Sequence, residues 1–236
     1  TSIINAADGV MVARGDLGVE ADYADIPILQ HRIIGEAHRQ GKPVIVATQV
    51  LESMLHSPRP TRAEATDVSH AVREGADAVM LSGETSVGKY PVDAVTVLRR
   101  LMESSEEAFA SPIPPHLSET PEEKTEDPRA GALGEAAVRL ALLLKAQAIV
   151  VLSRSGRTAI TTAKNHPPLP VLALSNNPRV RRRLSLFHGI APIAAPHSFG
   201  PEEAAAAGRF LRSQNWLKPG SPFVWVTANS LRLEHP

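Results

Sequence analysis

A chain of 236 residues with 43% hydrophobic side chains has material for two ordinary cores, since domains usually hold about 100 to 150 residues. Its 25 basic residues balance 25 acidic ones, which removes a global pull toward nucleic acid or an anionic membrane and leaves room for a small anionic ligand. The absence of cysteine excludes disulfides, thiolate nucleophiles and Cys-ligated metals and makes the cytoplasm the default compartment, while no apolar run approaches the ~20 residues that span a bilayer and the N-terminus lacks a signal-peptide pattern.

The first hundred residues alternate short apolar runs with amphipathic stretches. A strand over Gly9 to Ala13 is followed by a helix near Ile28 to Gln40, a strand over Pro43 to Ala47 by a helix over Ala63 to Glu74, and a strand over Ala76 to Leu81 by a helix from Pro91 to Phe109. Continuous Val, Ile, Met and Ala runs, each followed by a helix, predict a parallel sheet built from β/α units. A polar cluster follows each strand: Arg14-Gly15-Asp16, then Thr48-Gln49, then Ser82-Gly83-Glu84. In a (β/α)8 barrel the carboxyl ends of the strands carry the chemistry, so the three clusters are expected to converge on one mouth. Each cluster alone also reads as a helix cap or an ordinary turn.

Ser111 to Pro128 is rich in Pro, Glu, Ser and Thr without periodicity and reads as a solvated linker. Beyond it a helix from Ala130 to Lys145 leads to a strand over Ala148 to Leu152, the loop Ser153-Arg154-Ser155-Gly156-Arg157-Thr158 and a helix to Asn165. Next come a strand over Pro170 to Leu174, a basic helix from Pro178 to Leu186 and a strand over Ile190 to Ala194. A helix from Pro201 to Gln214 and a strand over Pro222 to Thr227 complete a second α/β layer structure. The loop from Ser153 follows a strand and opens a helix, a place where amides and hydroxyls cradle an anion or simply cap the helix. Two Trp, two Tyr and five Phe give few stacking platforms for single-stranded nucleic acid. The arginines at 179, 181, 182 and 183 read as a solvated helix face or a subunit contact.

Four segments carry a family resemblance. They are Asp8 to Glu20 with its Ala-Arg-Gly-Asp-Leu-Gly core, Ala47-Thr48-Gln49-Val50-Leu51-Glu52-Ser53-Met54, Pro58-Arg59-Pro60-Thr61-Arg62-Ala63-Glu64, and Met80-Leu81-Ser82-Gly83-Glu84-Thr85. In that order they closely resemble pyruvate kinase, and several linked motifs are far more specific than a lone glycine pattern. The resemblance is dense to about residue 108 and looser afterwards. It implies the last strands of a (β/α)8 TIM barrel over 1–110, a linker over 111–128, and over 129–236 a second α/β three-layer domain with a mostly parallel sheet.

The implied reaction moves a phosphoryl group between phosphoenolpyruvate and ADP, giving pyruvate and ATP, with Mg2+ or Mn2+ and K+ as cofactors. Such a substrate needs a hard cation, backbone N–H donors and hydroxyls. By resemblance Gly15, Asp16 and Thr48 bind phosphoenolpyruvate, and Asp16 is also a ligand of the divalent metal. Thr48, Ser82 and Glu84 carry the catalytic positions, the latter two in a polar network suspected of proton delivery. Arg62 and Glu64 are structural. Ser153, Ser155, Gly156, Arg157 and Thr158 match the loop that binds the phosphate of an allosteric effector. After the strand ending at Thr227, however, Ala228-Asn229-Ser230-Leu231-Arg232 stands where the family usually has a glycine-rich loop. A homo-oligomer, a tetramer by resemblance, is implied; nucleic acid and membrane partners are not.

The family's phosphoryl-stabilising lysine and second acidic metal ligand precede the matched segments, so the chain alone is expected to be inactive. Three buried barrel strands would also expose a hydrophobic edge and face. The rival readings are another metal-dependent barrel enzyme acting on a pyruvate enolate, and a non-catalytic effector-binding or assembly module.

Overall fold

A computed structural model describes residues 2–109, 128–196 and 203–234. The chain forms two units, Thr1–Ala110 and Ser111–Pro236. The expected linker lies outside the described residues except for Pro128, which begins a helix.

The first unit opens with helix α1 (Ser2–Ala6), strand β1 (Val10–Ala13), helix α2 (Arg14–Glu20) and helix α3 (Ile26–Arg39). Strand β2 (Val44–Ala47), helix α4 (Arg62–Glu74), strand β3 (Ala78–Met80), the one-turn helix α5 (Gly83–Ser86) and helix α6 (Pro91–Phe109) follow. The strands form a parallel sheet in the order β1-β2-β3, with Ala13 opposite Ala47 and Ala47 opposite Met80. The strand ends that carry the polar clusters are therefore aligned. Helix α4 starts at a capping box, in which Thr61 accepts from the Glu64 amide and Glu64 from the Thr61 amide, and stops at Gly75 in the left-handed conformation.

One sheet face packs Val12, Val44 and Val46 against Ile34, Ala37 and Ala71. A second cluster of Val50, Leu51, Met54, Val68, Ala94 and Leu98 holds the loop after β2 against α4 and α6. The opposite sheet face is partly open: Met11 is 51% and Met80 36% exposed, while Ala47 beside Met80 is buried. That is the partly uncovered face the strand count implies. The sequence reading did not foresee α1 or the helical turn α5, whereas a helix start at Gly15 and Asp16 was among its readings and α2 lies there.

The second unit comprises α7 (Pro128–Leu143), β4 (Ala148–Leu152), α8 (Arg157–Ala163), β5 (Val171–Ser175), α9 (Pro178–Leu184), β6 (Ile190–Ala194), α10 (Glu203–Ser213), β7 (Phe223–Val226) and β8 (Leu231–Glu234). Its five strands lie in the order β6-β5-β4-β7-β8, all parallel except the β7–β8 pair. Alternate residues of β4 and β7 feed opposite cores: Ile149, Val151, Val224 and Val226 meet α7, α8 and α9, while Val150, Phe223 and Trp225 meet Ala207 and Leu211 of α10. This is the both-faces-buried arrangement that continuous apolar strands demand. Residues 227–230 make the tight β7–β8 turn, with the Thr227 amide donating to Ser230 O at 2.9 Å.

Candidate functional site

The corner where β1 becomes α2 lies beside the end of β2. The first amides of a helix have no partner within it, and that of Gly15 donates to Thr48 Oγ1 at 2.9 Å. Because the hydroxyl accepts here, its own proton stays free to donate to an anion. A Cβ on Gly15 would meet Thr48 Oγ1 at 3.6 Å, an ordinary contact, so the protein itself does not exclude a side chain there.

Thr48 and Gln49 both have left-handed backbones, with φ of 65° and 52°. For a β-branched residue this is a costly conformation, on the order of 1–3 kcal/mol, which persists only when the surroundings impose it. Arg14 supplies that constraint. Its guanidinium donates from Nε and Nη2 to Thr48 O at 3.2 and 3.0 Å and from Nη2 to Gln49 O at 2.9 Å, and Nη1 pairs with Asp67 on α4. The Arg14 side chain is only 9% exposed, so these partners replace the water it has lost.

The third cluster joins the same loop. Glu84, buried, accepts from the Leu51 amide through Oε1 and from the Ser82 amide through Oε2, each at 2.9 Å. Its carboxylate thus braces the segment after β2 against the start of α5, and Ser82 sits at the end of β3 as expected. Glu64 braces a neighbouring turn: it accepts from the Ser53 amide and hydroxyl at 2.7 and 2.6 Å besides capping α4. Burial alone would raise its pKa, but the hydrogen bonds from Ser53 and Thr61 outweigh that and hold the carboxyl below its ordinary range. Arg62 is exposed at the start of α4 and lines a shallow groove with Thr66, Asp67 and His70.

Gly15, Thr48, Ser82 and Glu84 are therefore brought to one end of the sheet. Asp16 stands at the same corner with an exposed carboxylate, a hard oxygen donor of the kind Mg2+ or Mn2+ takes. Among the described residues no cluster of three or more His, Cys, Asp or Glu side chains is arranged to hold a metal by itself, so Asp16 fits as a single protein ligand. Sequence reasoning missed Arg14 and Asp67. Their signal was a charged residue ending an apolar strand, which calls for a buried partner.

In the second unit, Ser153 is buried and its Oγ accepts from the Gly156 amide at 2.9 Å. Gly156 has φ of 88°, and a Cβ there would lie 3.1 Å from Leu184 Cδ2, so glycine is required both for the turn and for the approach of α9. Thr158 is buried, whereas Arg154, Ser155 and Arg157 face outward. No helix among the described residues is long and apolar enough to cross a membrane.

Two family models match: the pyruvate kinase barrel domain over residues 1–95 and the pyruvate kinase alpha/beta domain over 131–233. Pyruvate kinase 2 of Synechocystis is 39% identical over 98% of this chain, which covers 38% of that protein. Pyruvate kinase isozyme G, chloroplastic, of Nicotiana tabacum is 44% identical over 97% of the chain and 40% of its own length. The crystal structure of a pyruvate kinase from Cryptosporidium parvum superposes with a TM-score of 0.88 at 34% identity, covering 99% of this chain and 48% of that one. The chain thus spans less than half the length of each of these three relatives.

Proposed function

Because this chain belongs to the pyruvate kinase family, we propose that its first unit supplies the phosphoenolpyruvate corner of an enzyme exchanging a phosphoryl group between phosphoenolpyruvate and ADP. The observation that carries this reading is the junction of β1 and β2, where the Gly15 amide donates to the Thr48 hydroxyl and Asp16, next in the chain, is exposed. Thr48 donates its hydroxyl proton to the substrate carboxylate, and the helix start at Gly15 and Asp16 adds positive potential for the anion. Asp16 would hold Mg2+ or Mn2+, a cation that when bound would supply positive charge for a phosphoryl transfer that depends mostly on positioning and charge. Ser82 orders water for proton delivery, and Glu84 keeps it in place through the Ser82 amide. No residue of this chain is assigned to K+.

In the second unit, Ser153, Ser155, Gly156, Arg157 and Thr158 are proposed to receive the phosphate of an effector, supported by the exposed Arg157 and Ser155 above the Gly156 turn. The short β7–β8 turn at 227–230 stands where the family usually has a glycine-rich loop. By family, a cytoplasmic homo-oligomer is the proposed state.

Calorimetric titration of the chain with phosphoenolpyruvate in the presence of Mg2+, beside Asp16→Ala, tests the reading. Asp16→Ala should weaken binding by about tenfold or more, the scale of one charge-assisted contact. Equal affinity in the two proteins, or no binding in either, would refute it.

A further inference from the structure

The geometry points to Arg14 as a positioning residue for Thr48, an inference that rests on the substrate reading above. Two consecutive non-glycine residues, Thr48 and Gln49, hold left-handed backbones at the end of β2, and nothing in their own sequence favours that conformation. The side chain that addresses both is Arg14, whose planar fork takes the Thr48 and Gln49 carbonyls while Asp67 holds its remaining end. A guanidinium suits this task because its donors are fixed in one plane and it stays charged; lysine would bring a single rotating ammonium that cannot serve both carbonyls and the carboxylate together.

The consequence reaches the hydroxyl. Thr48 Oγ1 meets the Gly15 amide with the residue 48 backbone left-handed, so on this proposal releasing the carbonyls lets the backbone relax and carries the hydroxyl off its seat. Arg14 itself begins α2 and adjoins Gly15 in the chain. One side chain therefore ties the two halves of the anion corner together without having to touch the ligand.

The test uses the whole chain and two readouts. Hydrogen exchange of the Gly15 amide reports its bond to Thr48 Oγ1 without any ligand, and titration with phosphoenolpyruvate and Mg2+ reports the use of that bond. Arg14→Lys should speed Gly15 exchange and weaken phosphoenolpyruvate binding, each by about tenfold. Adding Gln49→Gly to Arg14→Lys should recover much of both, because glycine adopts positive φ without strain. A residue needed only for general stability would not be rescued in this way. Asp67→Asn, which leaves the guanidinium in place, should shift both readouts in the same direction by less, and it carries the test if Arg14→Lys does not fold. Wild-type exchange at Gly15 in both variants, faster exchange that Gln49→Gly leaves unchanged, or faster exchange with unaltered binding would each overturn the positioning role. Failure of the unsubstituted chain to bind phosphoenolpyruvate would instead overturn the substrate reading, and this role for Arg14 with it.

Discussion

The two units use the same β/α grammar and reach opposite balances. In the second, β4, β5 and β7 are covered on both faces, and a five-stranded sheet closes its own core. In the first, three strands are fully packed on one face and only partly covered on the other, where Met11 and Met80 are exposed, and left-handed backbones stand at Thr48 and Gln49 after β2. A unit that packs its apolar faces can hold its shape by burial alone. The loops after the first unit's strands are held by specific polar braces, here Arg14, Glu64 and Glu84.

The comparison breaks first, if it is wrong, at Phe223. This ring is 1% exposed, lies against Gly208 and sits under Arg212. Phe223→Ala should cost about 3–5 kcal/mol, read as a large loss in the melting transition of the second unit. Loss of the first unit's transition instead would show that the two are not independently stabilised. Gly156→Ala is next, at about 1–3 kcal/mol from the positive φ and the approach to Leu184.

A smaller effect separates the polar from the apolar unit by pH. The folded pKa of Glu64 lies below its ordinary 4.5, so its contribution is complete above that value and is lost as the pH falls through the lower folded value. Melting of the first unit should therefore soften below about pH 4.5 in the wild type, with Glu64→Gln flattening that dependence. An unchanged pH profile in Glu64→Gln would remove the carboxylate from the account. The smallest effect is expected at the open face, where Met80→Thr should stay within about 0.5 kcal/mol; a larger loss would mean that Met80 is covered.

Much of this was legible in the sequence. The apolar runs located β1, β2 and β3 because burial against α3 and α4 requires continuous Val, Ile and Ala, and the clusters after them were placed at one end of the sheet by parallel pairing. Glu64 as a structural residue was implied by the family resemblance of its segment, and its capping of α4 was visible only in the fold. The role of Arg14 did not follow, because its partner Asp67 lies 53 residues away and a left-handed threonine leaves no mark in composition. Strand β8 escaped because Leu231–Glu234 alternates apolar and charged residues for only four positions, too short a pattern to separate from a tail. The proton-delivery position of Glu84 was suggested by resemblance, yet its two bonds to backbone amides made it a brace, which only the fold could reveal.

The most direct measurement is an amide resonance map of the chain titrated with phosphoenolpyruvate and Mg2+. The account predicts that Gly15, Asp16, Thr48 and Gln49 move together while β4, β5 and β7 stay still. Movement confined to Ser153–Thr158, or none at all, would contradict it.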